Sequence, residues 1–187
     1  MTTRRWTLKR FFLTGALSAA TFAAAFVLGN AITLTLGPGT SGLVTIIVTT
    51  VLIVVCARLV ETVGVLTVAV GLFTVFAIPT NLFGPPGPQK VLIGVLTGLS
   101  YDLVWNLSGR RKWSLPAAAA ISTALSIVLI FGLMVLLDHP RKDYLRSILA
   151  FTVPLYAVLG VVGAVIGNRI YDKSLGRLAV VQQLQAD

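Results

Sequence analysis

The chain has 187 residues, of which 56% are hydrophobic and only 11% charged, with a formal net charge of +9. A soluble domain carries about a quarter charged residues, so too few polar groups are present to cover a water-facing surface, and lipid is the expected solvent. Nucleic-acid binding is excluded as well, because the basic residues stand in short clusters between apolar runs and form no continuous basic face.

A helix needs ~20 apolar residues to cross the hydrocarbon core. Six runs approach that length, at about residues 11–36, 43–57, 63–78, 91–107, 115–137 and 148–170. The predicted fold is an all-α integral membrane protein: a single domain of residues 1–187 built as a six-transmembrane-helix bundle.

Arg4 and Arg5 precede the first run. Paired arginines before an alanine-rich stretch suit either an export signal or a cytoplasmic anchor. The run is longer than the ~7–15 apolar residues of a signal core, which favours a retained anchor. Within it, Ala16, Ala20 and Ala24 recur every fourth position and form a smooth stripe, with Ala19 and Ala23 beside it. Such a stripe lets another helix approach closely, inside the bundle or in a partner.

The second and third runs are short and meet at "CARLVET", which reads as a helical hairpin with Arg58 and Glu61 spaced to pair on one face. Cys56 lies inside the second run, so the single cysteine forms no disulfide framework and reads as a packed small residue. "PTNLFGPPGP" then breaks the pattern, since proline and glycine cannot continue a helix. In the fourth run, Gly94, Gly98 and Asp102 share one face. An intramembrane aspartate needs a partner or water. Arg169 is the expected partner for Asp102, in a structural clamp; no second buried carboxylate is present to relay a proton.

"SGRRKWSLP" follows the fourth run and "DHPRKDY" the fifth. With the N-terminus in the cytoplasm, eleven basic residues fall inside: Arg4, Arg5, Lys9, Arg10, Arg58, Arg110, Arg111, Lys112, Arg169, Lys173 and Arg177. Four of the fifteen fall outside: Lys90, Arg141, Lys142 and Arg146. That asymmetry places both termini in the cytoplasm. Trp6, Trp105 and Trp113 fall at the inner interface, where indole rings favour the headgroups.

Polar residues gather at the opposite level. Asn30, Asn81, Phe83, Gln89, Lys90, His139 and Tyr144 are the candidate solute-binding residues, with the phenylalanine or tyrosine as an apolar wall. Any one of them also suits a solvated loop. No catalytic motif, metal-ligand cluster or ATP-binding loop is present, so neither an enzyme nor a resident metal or cofactor is expected.

In layout the chain resembles the substrate-binding S components of energy-coupling factor (ECF) transporters. Local likenesses are the alanine stripe, "PPGPQKVLIGVLTGLSYDL" from Pro85 to Leu103, and the glycine-rich "GVVGAVIGNRIYDKSL" from Gly160 to Leu175. The resemblance implies a multi-pass cell-membrane protein that captures a micronutrient-like solute at its outer face. It would deliver that solute by docking on a transmembrane coupling subunit with ATPase subunits, through Ala16, Ala20 and Ala24. The N-terminal histidine of the nickel and cobalt members is missing from "MTTRRW". The alternative is a non-transporting accessory or scaffold subunit of a larger membrane complex. A polar pocket open to the outside favours transport; an outer face filled by its own apolar side chains favours the scaffold.

Overall fold

A computed structural model describes residues 5–37, 41–82, 85–140 and 142–177; at positions 36, 41, 142, 144, 145 and 177 only the backbone is described. The described residues form an all-helical bundle: α1 (Leu8–Leu36), α2 (Ser41–Val60), α3 (Val65–Ala77), α4 (Gln89–Leu107), α5 (Ser114–Leu136) and α6 (Lys142–Lys173), closed by a short 3₁₀ turn at Leu175–Arg177. Among the described residues, four stretches are long and apolar enough to cross a membrane: Leu8–Thr35, Gly42–Val60, Ser114–Leu136 and Arg146–Lys173. These mark a membrane protein.

The helices alternate in direction. Arg58, Arg110, Lys112 and Asp172 gather at one end, called here the basic end, and the α3–α4 connection lies at the other. α3 has 13 residues, or about 20 Å at the usual rise, short of the ~30 Å core. Helices also overrun the apolar limits, most of all α6, which begins at Lys142 where a loop is expected, because polar residues extend a helix beyond the apolar stretch.

Small residues set the helix spacing. α4 lies against α3 through Gly94, whose added methyl would collide with Thr74, and Gly98, where it would stand 2.6 Å from the Thr67 Cα. α6 approaches α2 and α5 in the same manner: a methyl on Gly163 would meet Ile47 O at 2.9 Å, and one on Gly160 would meet Ala119 O at 2.9 Å. The apolar core between α2, α3, α4 and α5 is centred on Val54, Leu66, Trp105 and Leu115, all fully enclosed.

The turn between α2 and α3 needs left-handed backbone at Glu61 (φ 51°) and Gly64 (φ 81°). α3 then packs mainly on α4 and α1, so it does not form the simple hairpin with α2 that the sequence suggests. Arg58 reaches across to Asp172 at 3.0 Å, while Glu61 turns out of the helix and its carbonyl accepts from Arg110 Nη1 at 3.0 Å.

Candidate functional site

At the end opposite the basic cluster, α1, α2, α5, α6 and the α3–α4 connection surround an open cavity of about 930 Å³. Phe26 and Phe73 form one wall. They are braced by Phe22, whose ring centroid lies 5.7 Å from Phe26 and 6.2 Å from Phe73. Ile127, Ile130, Phe131 and Met134 of α5 form the facing wall. Pro79, Thr80, Asn81 and Leu82 cross one side, and Thr152 and Tyr156 of α6 close the other. Among the described lining residues none carries a full charge; His139 is the one basic ring at the mouth. An apolar cavity with a few convergent polar groups is the usual form of a small-molecule site.

Of the candidates from sequence, Asn30, Asn81 and His139 line this cavity. Asn30 donates through Nδ2 to Phe26 O at 2.8 Å, which leaves its carbonyl end for a solute. Phe83 lies outside the described residues, and Tyr144 falls within α6 with its side chain outside them. Gln89 and Lys90 do not line the cavity. Gln89 is half-buried and donates to Pro86 O at 3.1 Å.

Lys90 corrects the expectation most clearly. Its side chain is completely enclosed, and Nζ donates to three carbonyls: Ala77 at 2.9 Å, Thr80 at 2.6 Å and Leu82 at 2.7 Å. These carbonyls belong to the C-terminal end of α3 and the irregular segment beyond it, where helical donors run out; Ala77 O also accepts from the Thr80 N–H and hydroxyl. An ammonium has three donors and takes all three. Lys90 therefore holds the cavity wall in place rather than meeting a solute.

Ala16 and Ala20 are exposed on α1 and Ala24 is half-buried, while Thr14, Ser18 and Thr21 point into the protein. The inward hydroxyls bond back to their own helix, at Arg10 O, Thr14 O and Leu17 O. Polar groups are thus satisfied inside, and the smooth alanine stripe is left outside.

Asp102 takes Thr67 as its partner, and Arg169, expected in that role, is exposed on α6. A helix N-terminus supplies free N–H groups and a favourable dipole for the carboxylate, and the buried Arg110 adds a coulombic attraction. Nearby, Arg110 bonds Asn106 Oδ1 at 2.7 Å and lies over the Trp105 ring. Burial pushes its guanidinium pKa below the ordinary value, and Asp102 and Glu61 oppose that shift. Asp172 joins three elements by pairing with Arg58 and Lys112. No group of residues suited to a metal ion occurs among the described residues.

Sequence reasoning missed the hydroxyls of the cavity and its floor: Thr45, Thr49, Thr97, Tyr101, Thr123 and Ser126. Their signal is spacing, since Thr45 and Thr49, and Thr97 and Tyr101, are four apart inside apolar runs and share a helix face. Compared with family models, curated proteins and solved structures, the chain matches none.

Proposed function

We propose that this chain is the solute-binding subunit of an ECF-type importer in the cell membrane. The observation that carries the reading is the open cavity of about 930 Å³ at the end away from the basic clusters. On the positive-inside rule that end faces outward and both termini lie in the cytoplasm. All six helices then cross, the short α3 being extended by Pro79–Leu82, where Lys90 satisfies the Thr80 and Leu82 carbonyls. The solute is a small micronutrient-like molecule. Ala16, Ala20 and Ala24 form the docking face for a transmembrane coupling subunit, which brings the ATPase subunits.

Native mass spectrometry of the full chain released from mild detergent tests this. A co-purified small molecule, lost when Ile130→Trp fills the cavity, is the expected result. A protein without one, held in a stable complex that lacks ATPases, would overturn the proposal in favour of a scaffold subunit.

A further inference from the structure

Beneath the wide cavity lies a second, smaller chamber of about 30 Å³ between α2, α3, α4 and α5. Ile46, Thr49, Phe73 and Ser126 line both spaces, so the chamber is the inner end of the cavity. Its remaining polar lining is Thr50, Thr97, Tyr101 and Thr123. No charged side chain lines it among the described residues.

The Thr97 hydroxyl has no partner among the described residues, and that of Tyr101 has only a poorly aligned one, Thr50. Thr97 and Tyr101 are 4% and 2% exposed, and among the described residues no protein group is in hydrogen-bonding geometry with Thr97 Oγ1 or Tyr101 Oη. Thr50 is close enough to Tyr101 to interact with it, but not in that geometry. A buried hydroxyl without a well-aligned partner is costly, and both are kept four residues apart on one face of α4. The neighbouring hydroxyls have committed their protons. Thr49 donates to Thr45 O at 2.8 Å, Ser126 to Thr123 O at 2.7 Å, and Thr123 to Ala119 O at 2.7 Å. Towards the chamber their oxygens can only accept.

We infer that the chamber is a subsite for one hydroxyl group of an uncharged solute whose apolar body fills the wide cavity. The chamber presents donors from Thr97 and Tyr101 beside acceptors from Thr49 and Ser126. A hydroxyl donates and accepts at once, and about 30 Å³ suits a group of that size. A carboxylate would find no cation there and an ammonium no anion, so a charged head would be desolvated without compensation. This assignment rests on the cavity being the solute site.

The test uses the full chain in lipid nanodiscs and four probes with one body: 4-phenylbutan-1-ol, butylbenzene, 4-phenylbutanoate and 4-phenylbutylammonium. Affinities are read by saturation-transfer NMR for the natural chain, for Thr97→Val with Tyr101→Phe, and for Ile130→Trp. The alcohol is expected to bind about tenfold tighter than butylbenzene, for the extra paired hydrogen bonds, with both charged probes weakest. The double variant should lower the alcohol to the level of butylbenzene and leave butylbenzene unchanged; Ile130→Trp should remove both. Equal affinity of alcohol and butylbenzene, both lost in Ile130→Trp, would overturn the subsite while the cavity reading stands. A preference for the alcohol that survives in the double variant would also overturn it. So would a double variant that loses thermal stability but keeps the preference, since the hydroxyls would then serve the fold. Binding of none of the four would remove both the subsite and the cavity as a solute site.

Discussion

Asp102 and Thr67 are joined twice: Asp102 Oδ2 accepts from the Thr67 backbone N–H at 2.7 Å and from the Thr67 hydroxyl at 2.6 Å. Thr67 lies in the first turn of α3, so a side chain of α4 caps a helix that its own Gly64 does not cap. The carboxylate thereby fixes the register of α3 on α4, next to the close approach at Gly98. That pairing makes Asp102 a structural residue.

Asp102→Asn removes the charge but keeps an acceptor. We expect a loss of about 1.5–3 kcal/mol, the usual range for hydrogen bonds to a charged group, with solute binding retained. Thermal unfolding in detergent measures the first and retention of the co-purified molecule the second. An unchanged melting temperature with transport abolished would refute the structural role.

A Cβ added at Gly98 would stand 2.6 Å from Thr67 Cα and 2.9 Å from Leu66 O, so α3 and α4 leave no room for a side chain there. Gly98→Leu should destabilise strongly, by at least the ~1–3 kcal/mol typical of overpacking, because the atoms it meets are backbone and cannot rotate away. Gly132→Leu is the control, since nothing lies within 4 Å of its added Cβ. Similar melting temperatures for the two variants would contradict the close packing.

Lys90→Met keeps the length of the side chain and strands the carbonyls of Thr80 and Leu82, while Ala77 O keeps the Thr80 N–H and hydroxyl. Each unpaired carbonyl costs about 1–3 kcal/mol, so the variant should melt well below the natural protein. The Pro79–Leu82 segment should also become sensitive to protease, because its anchor to α4 is lost. A protected segment would show that Lys90 does not hold the cavity wall.

Ala20→Trp places a large ring on the exposed stripe of α1. Solute binding and thermal stability should be unchanged, while co-purification with a coupling subunit and transport should fall to background. Normal transport by this variant would exclude the α1 face as the docking surface.

Composition and run length by themselves determined that the chain is all-helical, lies in lipid and breaks at its proline- and glycine-rich connections. Those features depend on apolar area and backbone donors, which are local properties. The gathering of Asn30, Asn81 and His139 at one end was legible too, since Asn30 lies in the last third of its apolar run and Asn81 and His139 in the connections that follow theirs. Only the tertiary structure decided the roles of the polar groups. Lys90 reads as a free cation until three carbonyls from eight to thirteen residues earlier converge on it. Asp102 reads as seeking a cation until the start of α3 arrives beside it. The hydroxyls of Thr97 and Tyr101 look like ordinary residues within an apolar run. Which of them point into one chamber depends on how α2, α4 and α5 rotate about their axes. That rotation is set by small-residue contacts between helices, and apolar length carries no record of it.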